Sequence, residues 1–143
     1  MSEFDELYQE VILEHYRSPR GAARLDSVPE TARLENPLCG DSIKVEAVQG
    51  PEGTLKVRFE AAGCAISIAS ASLMTEALEG LGAEEARSIS AAFIRAMRGE
   101  GGLDLDAMGD LAALKGVCGY PARVKCATLA WHALMEALRA RDP

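Results

Sequence analysis

Hydrophobic positions fall on one stripe near the start of the chain: Phe4, Leu7, Tyr8, Val11, Ile12, His15 and Tyr16 recur at helical spacing. The pattern predicts an amphipathic helix over residues 3–17. Ser2 can cap it and Ser18-Pro19-Arg20-Gly21 stops it. Such a helix is expected to cover a sheet or to meet a partner, and His15 is expected to be a packed histidine rather than a ligand. After a loop over residues 19–30 the period changes to two. Thr31 to Glu35 reads as a short strand. Ser42 to Val48 alternates, with Ile43, Val45 and Ala47 on one face and Lys44, Glu46 and Val48 on the other. Gln49-Gly50-Pro51-Glu52-Gly53 is a turn cluster, and Leu55 to Glu60 alternates again, with Leu55, Val57 and Phe59 together. Short connections between the strands imply an antiparallel meander.

Beyond Ala61-Ala62-Gly63-Cys64 the pattern is helical. Ile66, Ala69, Leu73, Ala77 and Leu78 form one face, ended by Gly80 and Gly82. A second helix over about residues 83–98 turns Ala86, Ile89, Phe93, Ala96 and Met97 inward. Asp104 to Leu114 reads as a short helix and Lys115 to Gly119 as a turn. Pro121 suits the first turn of a last helix, whose buried side carries Val124, Thr128, Trp131, Met135 and Leu138, with Leu134 at the edge. Strands first and helices afterwards indicate an α+β fold, expected as a single domain over residues 1–143.

Composition narrows the classes. A net charge of -7 argues against a nucleic-acid-binding role, which needs a basic face. Met1 to Arg20 lacks a signal-peptide pattern and no apolar run reaches membrane-spanning length, so no membrane partner and a cytoplasmic location are expected. Cysteines in that compartment stay reduced. The four thiols, Cys39, Cys64, Cys118 and Cys126, are therefore read for metal binding or reactivity.

Cys39-Gly40-Asp41 puts a thiol and a carboxylate on the loop before the alternating strand. Cys64 sits at a strand-to-helix junction and Cys126 in the early part of the last helix. A helix start stabilises a thiolate through its free N–H groups and dipole. If these three places meet, Cys39, Asp41, Cys64 and Cys126 offer a set that suits zinc or part of an iron–sulfur cluster. Unrelated buried cysteines are the alternative, and Cys118 competes with Asp41 for the fourth position. Cysteine hydrolysis would need a histidine partner, which neither His15 nor His132 is placed to supply. Gly99-Glu100-Gly101-Gly102 lacks the Lys-Ser/Thr of a phosphate loop.

Cys39-Gly40-Asp41, Gly63-Cys64-Ala65-Ile66-Ser67-Ile68-Ala69-Ser70-Ala71-Ser72 and Arg123-Val124-Lys125-Cys126-Ala127 together resemble the IscU/NifU-like iron–sulfur cluster assembly family. The likeness runs from Tyr8 to Leu138. Lys125 stands where IscU proteins usually carry histidine, and the Gly99–Tyr120 segment looks like the insertion of the SufU branch. The resemblance implies a SufE/NifU-like (IscU-like) sandwich, a small antiparallel three-stranded sheet covered by helices. It implies zinc bound by Cys39, Asp41, Cys64 and Cys126, with Arg123 and Lys125 as candidate neighbours of the ligands. It further implies a SufS-type PLP-dependent cysteine desulfurase as partner, from which Cys39 accepts persulfide sulfur. A partner histidine would replace Cys39 on zinc and free it to attack. At most this makes the protein a sulfurtransferase. The alternatives are a scaffold that builds a [2Fe–2S] cluster for apo iron–sulfur proteins, and a structural zinc-binding interaction module. The resemblance gives Cys118 no role.

Overall fold

A computed structural model describes residues 3–25, 33–36, 40–101 and 104–141, without the side chains of residues 3–8, 140 and 141. The elements run α1 (Glu3–Arg17), β1 (Arg33–Asn36), β2 (Asp41–Gln49), β3 (Leu55–Ala62), α2 (Ala65–Leu78), α3 (Ala83–Met97), 3₁₀ turns at Leu105–Ala107 and Gly109–Gly119, and α4 (Pro121–Arg141). The three strands form an antiparallel sheet in the order β1-β2-β3. The α+β class expected from the pattern, and the helix-covered three-stranded sheet implied by the resemblance, are what form. Thr31 and Ala32 of the first expected strand lie outside the described residues.

Alternation explains the sheet. Ile43, Val45, Leu55, Val57 and Phe59 are buried on one face, because successive side chains of a strand point to opposite sides. On the other face Arg58 pairs with Glu46 across the strands, Nε to Oε1 at 2.9 Å. An exposed pair of this kind sets register more than it adds stability. The pairing also positions the site. Asn36 is opposite Asp41, and Ser42 is opposite Ala62, so all four lie at one end of the sheet. Cys64 follows two residues later.

Two helices lie on the apolar face, α4 against β1 and β2 and α2 against β3. The last helix is therefore central, and its burial is wider than a single stripe. Leu134, read from the sequence at the stripe's edge, is fully buried, whereas Val124 and Met135 are only partly so. On α2 the serines Ser67, Ser70 and Ser72 are buried, which the apolar spacing does not reveal. Their small size lets helices approach closely, and their hydroxyls find partners. Ser70 Oγ donates to the Ala127 carbonyl at 2.5 Å and accepts from Trp131 Nε1 at 3.0 Å. Trp131 stacks on Phe93 with ring centroids 4.1 Å apart.

The first helix does not cover the sheet, one of its two expected roles. It packs on α2 and on the Gly109–Gly119 turns rather than on the sheet. Tyr16, placed on the apolar stripe, is 43% exposed. His15 is buried, as expected. The segment read as a short helix and a turn is a succession of 3₁₀ turns extending to Gly119. After α1 the chain reaches the outer edge of β3: Ala23 N–H donates to the Phe59 carbonyl at 2.8 Å, and Phe59 N–H to the Gly21 carbonyl at 2.9 Å.

One buried polar atom on α3 has no hydrogen-bond partner, the Ser90 hydroxyl. A buried unpaired hydroxyl opposes folding. Ser90→Ala is expected to raise stability by about 1 kcal/mol, read as a later urea midpoint at unchanged slope. An earlier midpoint would show that the hydroxyl has a partner in solution.

Candidate metal centre

Three elements bring Asp41, Cys64 and Cys126 together. One ligand atom from each lies within 4.8 Å of the other two. Asp41 opens β2, Cys64 is the N-cap of α2, and Cys126 is in the second turn of α4. The convergence follows from the sheet register and from α4 crossing the β1–β2 end of the sheet. Cys39 lies outside the described residues. The loop that carries it begins and ends on the paired residues Asn36 and Asp41.

Asp41 is held as a buried anion. Its Oδ1 accepts the Cys64 N–H at 2.7 Å, and its Oδ2 accepts the Ser67 hydroxyl at 2.7 Å. Cys64 Sγ lies 3.6 Å from the same Oδ2. Burial pushes the carboxyl up, but hydrogen bonds from Ser67, the Cys64 N–H and the Cys126 and Cys64 thiols outweigh it. They hold the group below its ordinary value. Among the described residues no cation pairs with this carboxylate, which is only 1% exposed. A buried carboxylate beside two thiols with no cationic side chain against it fits a bound metal cation.

Gly63 makes the arrangement possible. Its φ is +144°, and a Cβ built there would lie 2.1 Å from Asp41 Oδ1 and 2.9 Å from Asp41 Cα. Only a residue without a side chain lets the β3–α2 junction pass so close to the carboxylate.

The two helix cysteines differ. Cys64 stands at the N-cap of α2 and is half-buried. Cys126, expected near a helix start, lies deeper. The first-turn donors of α4 are not available to it, and it is fully buried. Its sulfur takes instead a weak contact from Asn36 Nδ2 at 3.8 Å. Asn36 and Ser67 were not singled out in the sequence as site residues. Ser67 carried a signal, because it follows Cys64 by one helical turn and so shares its face. Asn36 carried none, since its approach to Cys126 depends on the packing of α4.

The remaining candidates lie around the cluster. Arg123 is exposed and lines an open depression of about 440 Å³ together with Cys64, Ile66, Val117 and Tyr120. Lys125 lies on the rim of a separate cavity of about 590 Å³ with Asn36, Cys118 and His132. The two basic residues therefore flank different hollows. Cys118 is not in the cluster. Its sulfur is 3.7 Å from Met97 Sδ, and burial pushes its thiol up against weaker pulls from its backbone hydrogen bond and Lys115. Among the described residues no helix is long and apolar enough to cross a membrane.

A family model described as the NifU-like N-terminal domain matches residues 7–137. The chain is 44% identical over 131 residues to a zinc-dependent sulfurtransferase, SufU, of Bacillus subtilis, covering 91% of this chain and 88% of that one. It is 36% identical over 139 residues to an iron–sulfur cluster assembly scaffold protein, IscU, of Streptococcus pyogenes, covering 97% of this chain and 87% of the other. A crystal structure of a hypothetical protein superposes with a TM-score of 0.81 at 37% identity, over 94% of this chain and 98% of that one.

Proposed function

Because the chain belongs to the NifU-like N-terminal domain family, we propose that it serves iron–sulfur cluster assembly as a zinc-dependent acceptor of persulfide sulfur. The observation that carries this reading is the Asp41–Cys64–Cys126 cluster, with Asp41 and Cys126 buried and Cys64 half-buried, whose ligand atoms lie within 4.8 Å of one another. It occurs in a chain 44% identical to a zinc-dependent sulfurtransferase. Cys39, two residues before Asp41, supplies the fourth ligand. When bound, zinc keeps the thiols deprotonated and lowers their nucleophilicity.

The partner is a PLP-dependent cysteine desulfurase of the SufS type carrying a cysteine persulfide. The Cys39 thiolate attacks the outer sulfur of that persulfide. The sulfur–sulfur bond to the partner breaks, and its electron pair leaves with the partner's cysteine thiolate. Cys39 then carries the outer sulfur with its proton, and no external oxidant or reductant is needed. Asp41 stays fixed by Ser67 and the Cys64 N–H, while Cys64 and Cys126 stay on the helices that hold them. The depression beside Cys64, with Tyr120 66% exposed on its wall, gives the partner's persulfide-bearing segment room to approach. Arg123 on the same wall can meet an anionic persulfide, and Lys125 contributes positive charge near the other hollow. A single domain over residues 1–143, working in the reducing cytoplasm where its thiols remain free, suits this chemistry.

Cys39→Ser tests it. Wild-type protein is expected to accelerate desulfurase turnover of cysteine, and the variant to leave it at the rate of the desulfurase alone. Alkylation followed by mass spectrometry is expected to trap a persulfide on the Cys39 peptide. Full stimulation by the variant would remove Cys39 from the acceptor role, and no stimulation by wild type would end the sulfurtransferase reading.

A scaffold role is the second reading, favoured by the sulfur-rich cluster and by the 36% identity to a protein named as a scaffold. The same four ligands would hold a [2Fe–2S] cluster destined for apo iron–sulfur proteins. Anaerobic reconstitution and transfer to an apo-ferredoxin separates it, since a protein that keeps zinc and transfers no cluster is not a scaffold. The third reading, a structural zinc-binding interaction module, is ruled out by any trapped persulfide.

A further inference from the structure

A second group of ligand-type side chains lies away from the cysteines. His15 on α1 is 1% exposed, and its Nδ1 lies 2.6 Å from the Ser72 hydroxyl on α2. Ser72 Oγ also accepts the Arg20 backbone N–H at 2.8 Å, so the ring is anchored on a fixed oxygen. The other ring nitrogen, Nε2, is 3.9 Å from Asp110 Oδ2, beyond hydrogen-bond reach. Glu76, one helical turn after Ser72, brings its carboxylate to the same place. One ligand atom each from His15, Glu76 and Asp110 lies within 4.8 Å of the other two.

Among the described residues the cation nearest the group, Arg20, is shared with another carboxylate. Arg20 Nε is 3.6 Å from Glu76 Oε2, but its Nη2 is held by Glu14 Oε1 at 2.8 Å. One guanidinium thus faces three carboxylates, Glu14, Glu76 and Asp110, which leaves excess negative charge around the imidazole nitrogen. Their side chains are 44% and 56% exposed, so an ion can reach them from solvent.

We propose that His15 Nε2, Glu76 and Asp110 form a second metal site for a first-row divalent cation of the Fe²⁺, Mn²⁺ or Co²⁺ class. One imidazole nitrogen and two carboxylates without sulfur suit such ions, with water filling the open positions. In the bound form His15 Nδ1–H donates to Ser72 Oγ, which leaves the Nε2 lone pair for the ion. Metal–ligand bonds of about 2.0–2.2 Å require the carboxylates to close in, which their partial exposure allows. Glu76 gives up its long contact with Arg20 to do so. Ser72 follows Cys64 by eight residues of α2, about 12 Å along the axis. The site therefore shares no ligand with the cysteine cluster.

The test is a titration of zinc-loaded protein with Mn²⁺ alone, following free Mn²⁺ by electron paramagnetic resonance. Wild type is expected to bind one Mn²⁺ beyond the thiolate-held zinc. Glu76→Gln combined with Asp110→Asn, at two partly exposed positions, is expected to weaken that binding at least tenfold. The charge-matched control Glu84→Gln with Glu85→Gln on α3 is expected to bind as wild type. Co²⁺ bound at this site is expected to show weak d–d bands without sulfur-to-metal charge transfer. Absence of Mn²⁺ binding in wild type, retention in the site variant or an equal loss in the control would each overturn the proposal.

Discussion

Gly63→Ala is expected to destabilise the protein by about 3–5 kcal/mol and to weaken zinc binding at the proposed site. The added Cβ would meet not only the Asp41 carboxylate but also its Cα, at 2.9 Å, so rotating the Asp41 side chain gives no relief. The β3–α2 junction must move, taking with it the Cys64 N–H that Asp41 Oδ1 accepts at 2.7 Å. A buried carboxylate then loses a charge-assisted bond and regains no water. Zinc affinity, measured against a chromogenic chelator, is expected to fall about tenfold or more, as losses around a ligand generally do. Gly101→Ala is the control. Gly101 also has a positive φ, +75°, but a Cβ there meets nothing within 4 Å. It is expected to cost about 1 kcal/mol and to leave zinc affinity unchanged. Equal losses in the two variants would show that backbone strain, not the approach to Asp41, is the constraint.

Trp131→Ala is expected to cost about 3–5 kcal/mol, the range for removing a large buried aromatic. Trp131 is fully buried, stacked on Phe93, and its Nε1 donates to Ser70 Oγ. The loss has two parts, an emptied volume between α3 and α4 and a hydroxyl without its donor. Trp131→Phe separates them. It keeps most of the volume and the stacking and is expected to cost about 1–2 kcal/mol for the lost donor. Urea unfolding followed by circular dichroism compares all three proteins, since Trp131 is the one tryptophan and fluorescence disappears with it. A Phe variant as unstable as the Ala variant would assign the whole effect to the Ser70 bond.

The parts of the fold that face one layer were legible in the sequence, and the parts buried on several sides were not. The strands β2 and β3 bury one face only, so Ile43, Val45, Val57 and Phe59 show in a period of two. α4 touches the sheet, α2, α3 and the 3₁₀ turns. A helix surrounded in this way has no clean stripe, which is why Leu134 was placed at an edge and Val124 and Met135 inside. On α2 the buried Ser67, Ser70 and Ser72 read as polar although each hydroxyl is hydrogen-bonded in the core. The 3₁₀ turns to Gly119 read in the sequence as a short helix and a turn, because Leu111 and Leu114 are buried three residues apart, a spacing an α-helix shares.

The candidate site divides along the same line. The residue types at Asp41, Cys64 and Cys126 are visible in the chain, and likeness to a family suggested that they meet. Spacing alone left that open, because the gaps between them are closed by sheet register and helix crossing rather than by a local motif. The residues that tune the site, Ser67 and Asn36, act through contacts across 26 and 90 positions of sequence. The one-turn spacing from Cys64 hints at Ser67, whereas no local pattern points to Asn36. Cys118, to which the family likeness gives no role, lies apart from the cluster against Met97.

The segment after α1 has a consequence for how copies of this protein behave toward one another. β3 ends the sheet, and an uncovered edge strand offers its backbone groups to any other chain in extended form. Residues Gly21 and Ala23 bond to both backbone groups of Phe59, at the middle of that edge. A foreign strand would have to displace them before it could add to the sheet. Gly21 is fixed there in turn, since a side chain on it would run into Thr75 of α2 at 2.5 Å. A stretch that looks like a connection between a helix and a strand is thus a guard against self-association, set by one glycine and two backbone hydrogen bonds.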